Sequence, residues 1–112
     1  MVDVNFTNNA DDILRLLEKG KRNALTAIGA TAETHAKKAT PVDTGRLRNS
    51  ISHAVDGEAA YIGTNVEYAP YLELGTKKIT AHHYLKRAVT EHKDEYKNLT
   101  AQAIRSAINN SQ

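Results

Sequence analysis

The sequence predicts an α+β fold: a long N-terminal helix, a central antiparallel β-hairpin or small sheet, a short helix and a long C-terminal helix. Three observations predict it. Apolar residues recur at helical spacing from Leu14 to Ala36, a second such stripe runs from Leu85 to Ala107, and an Asp-Gly turn lies between them at Asp56-Gly57. With 112 residues the chain has the usual length of one domain, so a single unit over 1–112 is expected.

The first helix is expected to begin after Asn8 or Asn9, with Asp11 and Asp12 in its first turn, where acidic groups favour the helix dipole. Leu14, Leu17, Ala24, Leu25, Ile28, Ala32 and Ala36 mark its apolar face, and a bend or break is expected near Gly20. Thr40 precedes Pro41, which pushes it out of the α region, so the helix should end at about Ala39. A single helical turn from Arg46 to Asn49 follows the loop Pro41-Val42-Asp43-Thr44-Gly45. In the hairpin, a type I′ turn at Asp56-Gly57 would pair Ile51 with Ile62 and Ser52 with Tyr61, with Ile51, His53 and Val55 on the inner face. Tyr68 to Gly75 reads as a short helix closed by a glycine. The last helix is expected to run unbroken from about His83 to Asn109, about 40 Å. That would overhang a domain of this size, so part of its stripe is expected to meet another subunit.

Bulk composition narrows the function. Hydrophobic residues are 40% and charged residues 25%, with no Trp, one Phe and a net charge of +2. This is a mildly basic chain, short of a dedicated nucleic-acid binder. The absence of cysteine removes disulfides and thiolate metal sites. Met1 to Ala10 carries no apolar core of a secretory signal, and no window reaches the ~18 apolar residues of a membrane span. Synthesis in the cytoplasm is the expectation.

No constellation of catalytic residues stands out. Asp43-Thr44-Gly45 matches the aspartic-protease tripeptide, in which two carboxylates of a dimer share a proton. Here it follows a helix and Thr40-Pro41 rather than an apolar strand, and two long helices leave too little chain for the β barrel. A turn-capping Asp43 is the better reading. The five histidines include no pair at i and i+4 and no His-Glu-x-x-His, and the neighbours His82 and His83 would point apart. No metal site or cofactor is expected, and His92 reads as a packed residue of the last helix. Gly75-Thr76-Lys77-Lys78 lacks the glycine and the Gly-Lys pair of a phosphate loop. A regulatory DNA-binding module would need a recognition helix of base-reading residues after a short turn, which the sequence lacks.

Three blocks instead match a family pattern. Pro41-Val42-Asp43-Thr44-Gly45-Arg46-Leu47-Arg48-Asn49-Ser50-Ile51 resembles "P-V-D-T-G-x-L-R-x-S-I". Val66-Glu67-Tyr68-Ala69-Pro70-Tyr71-Leu72-Glu73-Leu74-Gly75-Thr76 resembles "V-x-Y-A-x-Y-x-E-x-G-T". Ala81-His82-His83-Tyr84-Leu85-Lys86-Arg87-Ala88 resembles "A-R-P-F-L-R-P-A", with His82 in place of arginine and His83 in place of proline. Order and spacing agree with the siphophage head–tail joining family, the gp-ten-like minor tail component family of the HK ninety-seven phage type. The blocks and the helices around them span nearly the whole chain.

The resemblance implies a non-enzymatic virion protein of a long-tailed phage or prophage, made in the bacterial cytoplasm. It would complete the tail and join it to the head as a ring, with six copies as the expected number. The implied partners are a head-completion protein and a tail terminator or tail tube protein. The motif and interface candidates are Pro41, Asp43, Gly45, Leu47, Arg48, Tyr68, Tyr71, Glu73, Gly75 and Leu85. Lys77, Lys78, Lys86 and Arg87 are candidates for a lumen making non-specific contact with DNA. Glu73 is expected to pair with Arg46 or Arg48.

Overall fold

The computed structural model describes residues 6–40, 45–75 and 83–109. Seven elements follow one another: α1 (Phe6–Ala39), α2 (Arg46–Ser50), β1 (Ser52–Val55), β2 (Ala60–Gly63), α3 (Ala69–Leu74), α4 (Tyr84–Thr90) and α5 (Lys93–Asn109). This is the α+β order that the sequence predicts.

Helix α1 is 34 residues long and unbroken, about 50 Å from end to end. It starts at Phe6, so Asp11 and Asp12 lie beyond its first turn. The break expected near Gly20 is absent, because Gly20 serves close packing. A Cβ there would lie 2.9 Å from the Cα of Ile104 on α5. Gly29 is used in the same way, since its Cβ would fall 2.8 Å from the ring of His53 on β1. Gly20 thus opens one side of α1 to α5 and Gly29 another to the hairpin, and the buried Ala24, Ala32 and Ala36 lie on the arc between them. The helix ends at Ala39, as expected, and the buried Thr40 hydroxyl donates to the Ala36 carbonyl at 2.6 Å.

The hairpin pairs Ser52 with Gly63, His53 with Ile62, Ala54 with Tyr61 and Val55 with Ala60. This is two residues from the expected register, because the turn is not type I′. Among the described residues only Gly45, Gly75 and His83 have positive φ. Asp56 instead accepts from the amides of Glu58 and Ala59 at 2.7 and 2.8 Å, an Asx turn that lengthens the loop. A slip of two keeps each residue on its face. Ile51 is accordingly buried and His53 half-buried against α1, while Val55 lies exposed near the hairpin tip.

The C-terminal arm is two helices rather than one. The ladder is interrupted at Glu91-His92, and the Tyr96 hydroxyl donates to the Ala88 carbonyl, eight residues back. Helix α5 runs antiparallel to α1, since Ile104 lies beside Gly20 while Glu95 lies beside His35. At this pairing the first turns of α1 overhang Asn109, the last described residue of α5. Exposed apolar residues lie on both sides of this pairing: Ile13 and Leu14 on the overhang and Leu17 just inside it on α1, Val89 on α4 and Ile108 on α5. The described helices include none long and apolar enough to cross a membrane.

Candidate functional site

The core brings the three blocks of this chain together. It gathers Ala36 of α1 with Leu47 and Ile51 of the first block, Val66 and Ala69 of the second, and Tyr84 and Ala88 of the third. Ala39, Ile62, Tyr68 and Leu85 pack against it. Tyr84 and Ile51 are its largest fully buried side chains, and burial raises the pKa of the Tyr84 phenol. Signature residues far apart in sequence thus build a single core, in which Leu47 is buried and Leu85 and Tyr68 are half-buried.

Polar contacts clamp the blocks around that core. Gly45 takes φ 67, a left-handed turn suited to glycine, and its carbonyl accepts the Asn49 amide at 2.9 Å to start α2. Ser50 donates to the Leu47 carbonyl at 2.7 Å and also meets the hydroxyl of Thr64, which accepts the Val66 amide at 3.1 Å. Arg46 forks onto Glu67 at 3.2 and 3.3 Å and lies 5.7 Å from the centre of the Tyr68 ring. The Glu67 carboxyl is held below its ordinary pKa, first by its own backbone amide and then by Arg46. Arg48 is half-buried beside Glu33 and Lys37 of α1.

Glu73 does not pair with Arg46 or Arg48. Its carboxylate accepts the amides of Leu85 at 2.7 Å and Lys86 at 3.3 Å, which are unpaired donors at the start of α4. Its own carbonyl accepts the His83 amide at 3.2 Å. Glu73 thus brackets the second block to the third. Gly75, at φ 79 and ψ 168, closes α3 by donating its amide to the Tyr71 carbonyl at 2.8 Å. His83 caps α4 at φ 53, a conformation closed to the proline that the family pattern carries there.

Around this bracket lies exposed apolar surface: Tyr71 is 56% and Leu74 72% accessible. Lys86 and Arg87 are exposed on α4, and Arg87 pairs with Glu91 at 2.9 Å. Pro41, Asp43, Lys77 and Lys78 lie outside the described residues. The described residues hold a single sheet of two strands, a poor basis for the barrel that the Asp43 protease reading requires.

One polar cluster has no counterpart among the sequence motifs. His35 of α1 and His92 at the helix break stack with ring centroids 3.5 Å apart and planes 4° from parallel. The Glu95 carboxylate accepts a hydrogen bond from Nε2 of His35 at 2.8 Å, and this contact holds the Glu95 carboxyl below its ordinary pKa. Sequence spacing misses the group because His35 and Glu95 are 60 residues apart.

A family model described as "Bacteriophage HK97-gp10, putative tail-component" matches residues 5–75, which takes in the first two blocks in full but for Thr76. The chain belongs to the HK97-gp10-like family. No curated protein and no solved structure matches it. Membership makes this a phage tail component, and the third block, beyond the matched span, is joined to the other two by the Glu73 bracket and the shared core.

Proposed function

We propose that this HK97-gp10-like protein is a non-enzymatic structural subunit at the head–tail interface of a long-tailed phage or prophage. It assembles as a ring, with six copies as the working number, that completes the tail and meets a head-completion protein on one side and a tail terminator or tube protein on the other. The observation that carries this reading, beyond family membership, is the distribution of uncovered apolar surface. Ile13, Leu14 and Leu17 stand exposed toward the N-terminal end of α1, and Tyr71 and Leu74 stand exposed on α3. Two unlike apolar patches on one chain suit heterologous contacts, in which a patch meets a different patch on the next copy and the rotation closes a ring. Lys86 and Arg87 supply positive charge that would favour passing DNA without reading its sequence.

A virion reconstruction by electron microscopy tests the reading. The expected density for this chain is a closed ring between head and tail tube. Density elsewhere in the particle, or isolated two-fold dimers, would overturn it.

A further inference from the structure

We propose that His35, His92 and Glu95 form a binding site for one divalent transition-metal ion of the zinc class, which staples α1 to the C-terminal arm at the break between α4 and α5. One donor atom from each of the three residues lies within 4.8 Å of the others. A tetrahedral ion with bonds of about 2.0–2.2 Å spaces its donors about 3.3–3.5 Å apart, so the group closes on an ion by little more than an ångström. Leaving the ring stack is the motion required, because parallel rings send their in-plane lone pairs along separate planes. His92 is the residue able to make it. It sits in the turn between α4 and α5, and the hydrogen bond to Glu95 is made by His35 and not by His92.

Donor chemistry sets the class of ion. Two imidazoles and one carboxylate suit borderline ions such as Zn(II), whereas calcium and magnesium take oxygen. Glu95 is about half exposed, which opens the site to incoming ions and leaves the fourth position to water. Tyr96 stands edge-on to both imidazoles at 6.5 Å, with its hydroxyl tied to the Ala88 carbonyl, so the ring walls off one side of the group. A staple also fits the rest of the molecule. The chain has no cysteine, and its core is largely alanine with two large buried side chains. Small scaffolds of that kind gain from a metal cross-link between elements.

The 112-residue chain, stripped with a chelator, is titrated with zinc chloride by calorimetry and followed by thermal unfolding. The expected result is one zinc per chain, a raised unfolding midpoint, and binding weakened at least about tenfold in His92→Gln and in Glu95→Gln. His53→Gln should bind as the parent does. Circular dichroism establishes that each variant is folded. Cobalt(II) is the second readout, with the visible spectrum of a four- or five-coordinate nitrogen–oxygen site expected. Absence of zinc binding by the parent, a cobalt spectrum of the aqua ion alone, or unchanged zinc affinity in both ligand variants would overturn the proposal. The head–tail assignment stands or falls independently of it.

Discussion

At the scale of single residues, Glu73 and Gly20 are the positions where chemistry and packing are most exposed to test. The Glu73 carboxylate is only 15% accessible and holds two amides at the start of α4. Removing a charged acceptor from such donors leaves them unsatisfied, so Glu73→Ala should cost about 1–3 kcal/mol. Glu73→Gln retains an acceptor and should cost less; midpoints of urea unfolding decide both. Gly20→Ala sets two effects against each other. Alanine gains about 1 kcal/mol in helix propensity, but its methyl would press on the backbone of α5 at Ile104, which cannot rotate away. Overpacking of that kind costs about 1–3 kcal/mol, so the net expectation is a loss of stability with a shifted α1–α5 contact, measured by the same unfolding curves. A gain in stability at Gly20→Ala would mean that the two helices are further apart than the structure has them.

At the scale of elements, most of the fold was legible and the departures have identifiable causes. The end of α1, the α2 turn, the existence of the hairpin and the glycine closure of α3 follow from Pro41, Gly45, Asp56-Gly57 and Gly75, residues whose backbone preferences are strong and local. The hairpin register was not legible, because the Asp56 side chain competes with the type I′ geometry that Asp-Gly favours. Nor was the break at Glu91-His92, since the apolar stripe continues across it and only the fold brings the Tyr96 hydroxyl to Ala88. The hairpin also docks on α1 through titrating groups. Glu33 is held below its ordinary pKa of 4.5 first by the hydrogen bond with His53 and then by Lys37. A lowered folded-state value stabilises the protein above the unfolded value and loses that contribution as pH falls through the folded one. Moving from about pH 5 to about pH 3 should therefore destabilise the parent more than Glu33→Gln, as thermal midpoints at each pH would show. Equal slopes in the two proteins would detach Glu33 from the acid response.

At the scale of the whole molecule, the site was legible as a set of motifs but not as an arrangement. The blocks marked Leu47, Tyr68, Glu73 and Leu85 from sequence alone, yet their residues turn out to share a core and a bracket, while Tyr71, Leu74 and the N-terminal end of α1 are among the residues that leave apolar surface exposed. The molecule is 65 × 21 × 21 Å, so its mass is spread along α1 and much of its apolar stripe is uncovered. Leu14 is 60% accessible and lies on a helix whose register is set further along by Gly20, Ala24 and Gly29 against their neighbours. Its side chain therefore contributes little to the monomer, and Leu14→Asp together with Leu17→Asp should change monomer stability by less than about 1 kcal/mol. If the overhang is a contact between copies, the same pair should abolish ring formation, because a buried unpaired carboxylate in an apolar contact costs several kcal/mol per copy. Complementation of a phage lacking this protein, with particles counted by electron microscopy, gives the readout. Tailed infectious particles at parental yield from the double variant would show that the overhang is not an assembly contact, and would leave Tyr71 and Leu74 as the surface to test next.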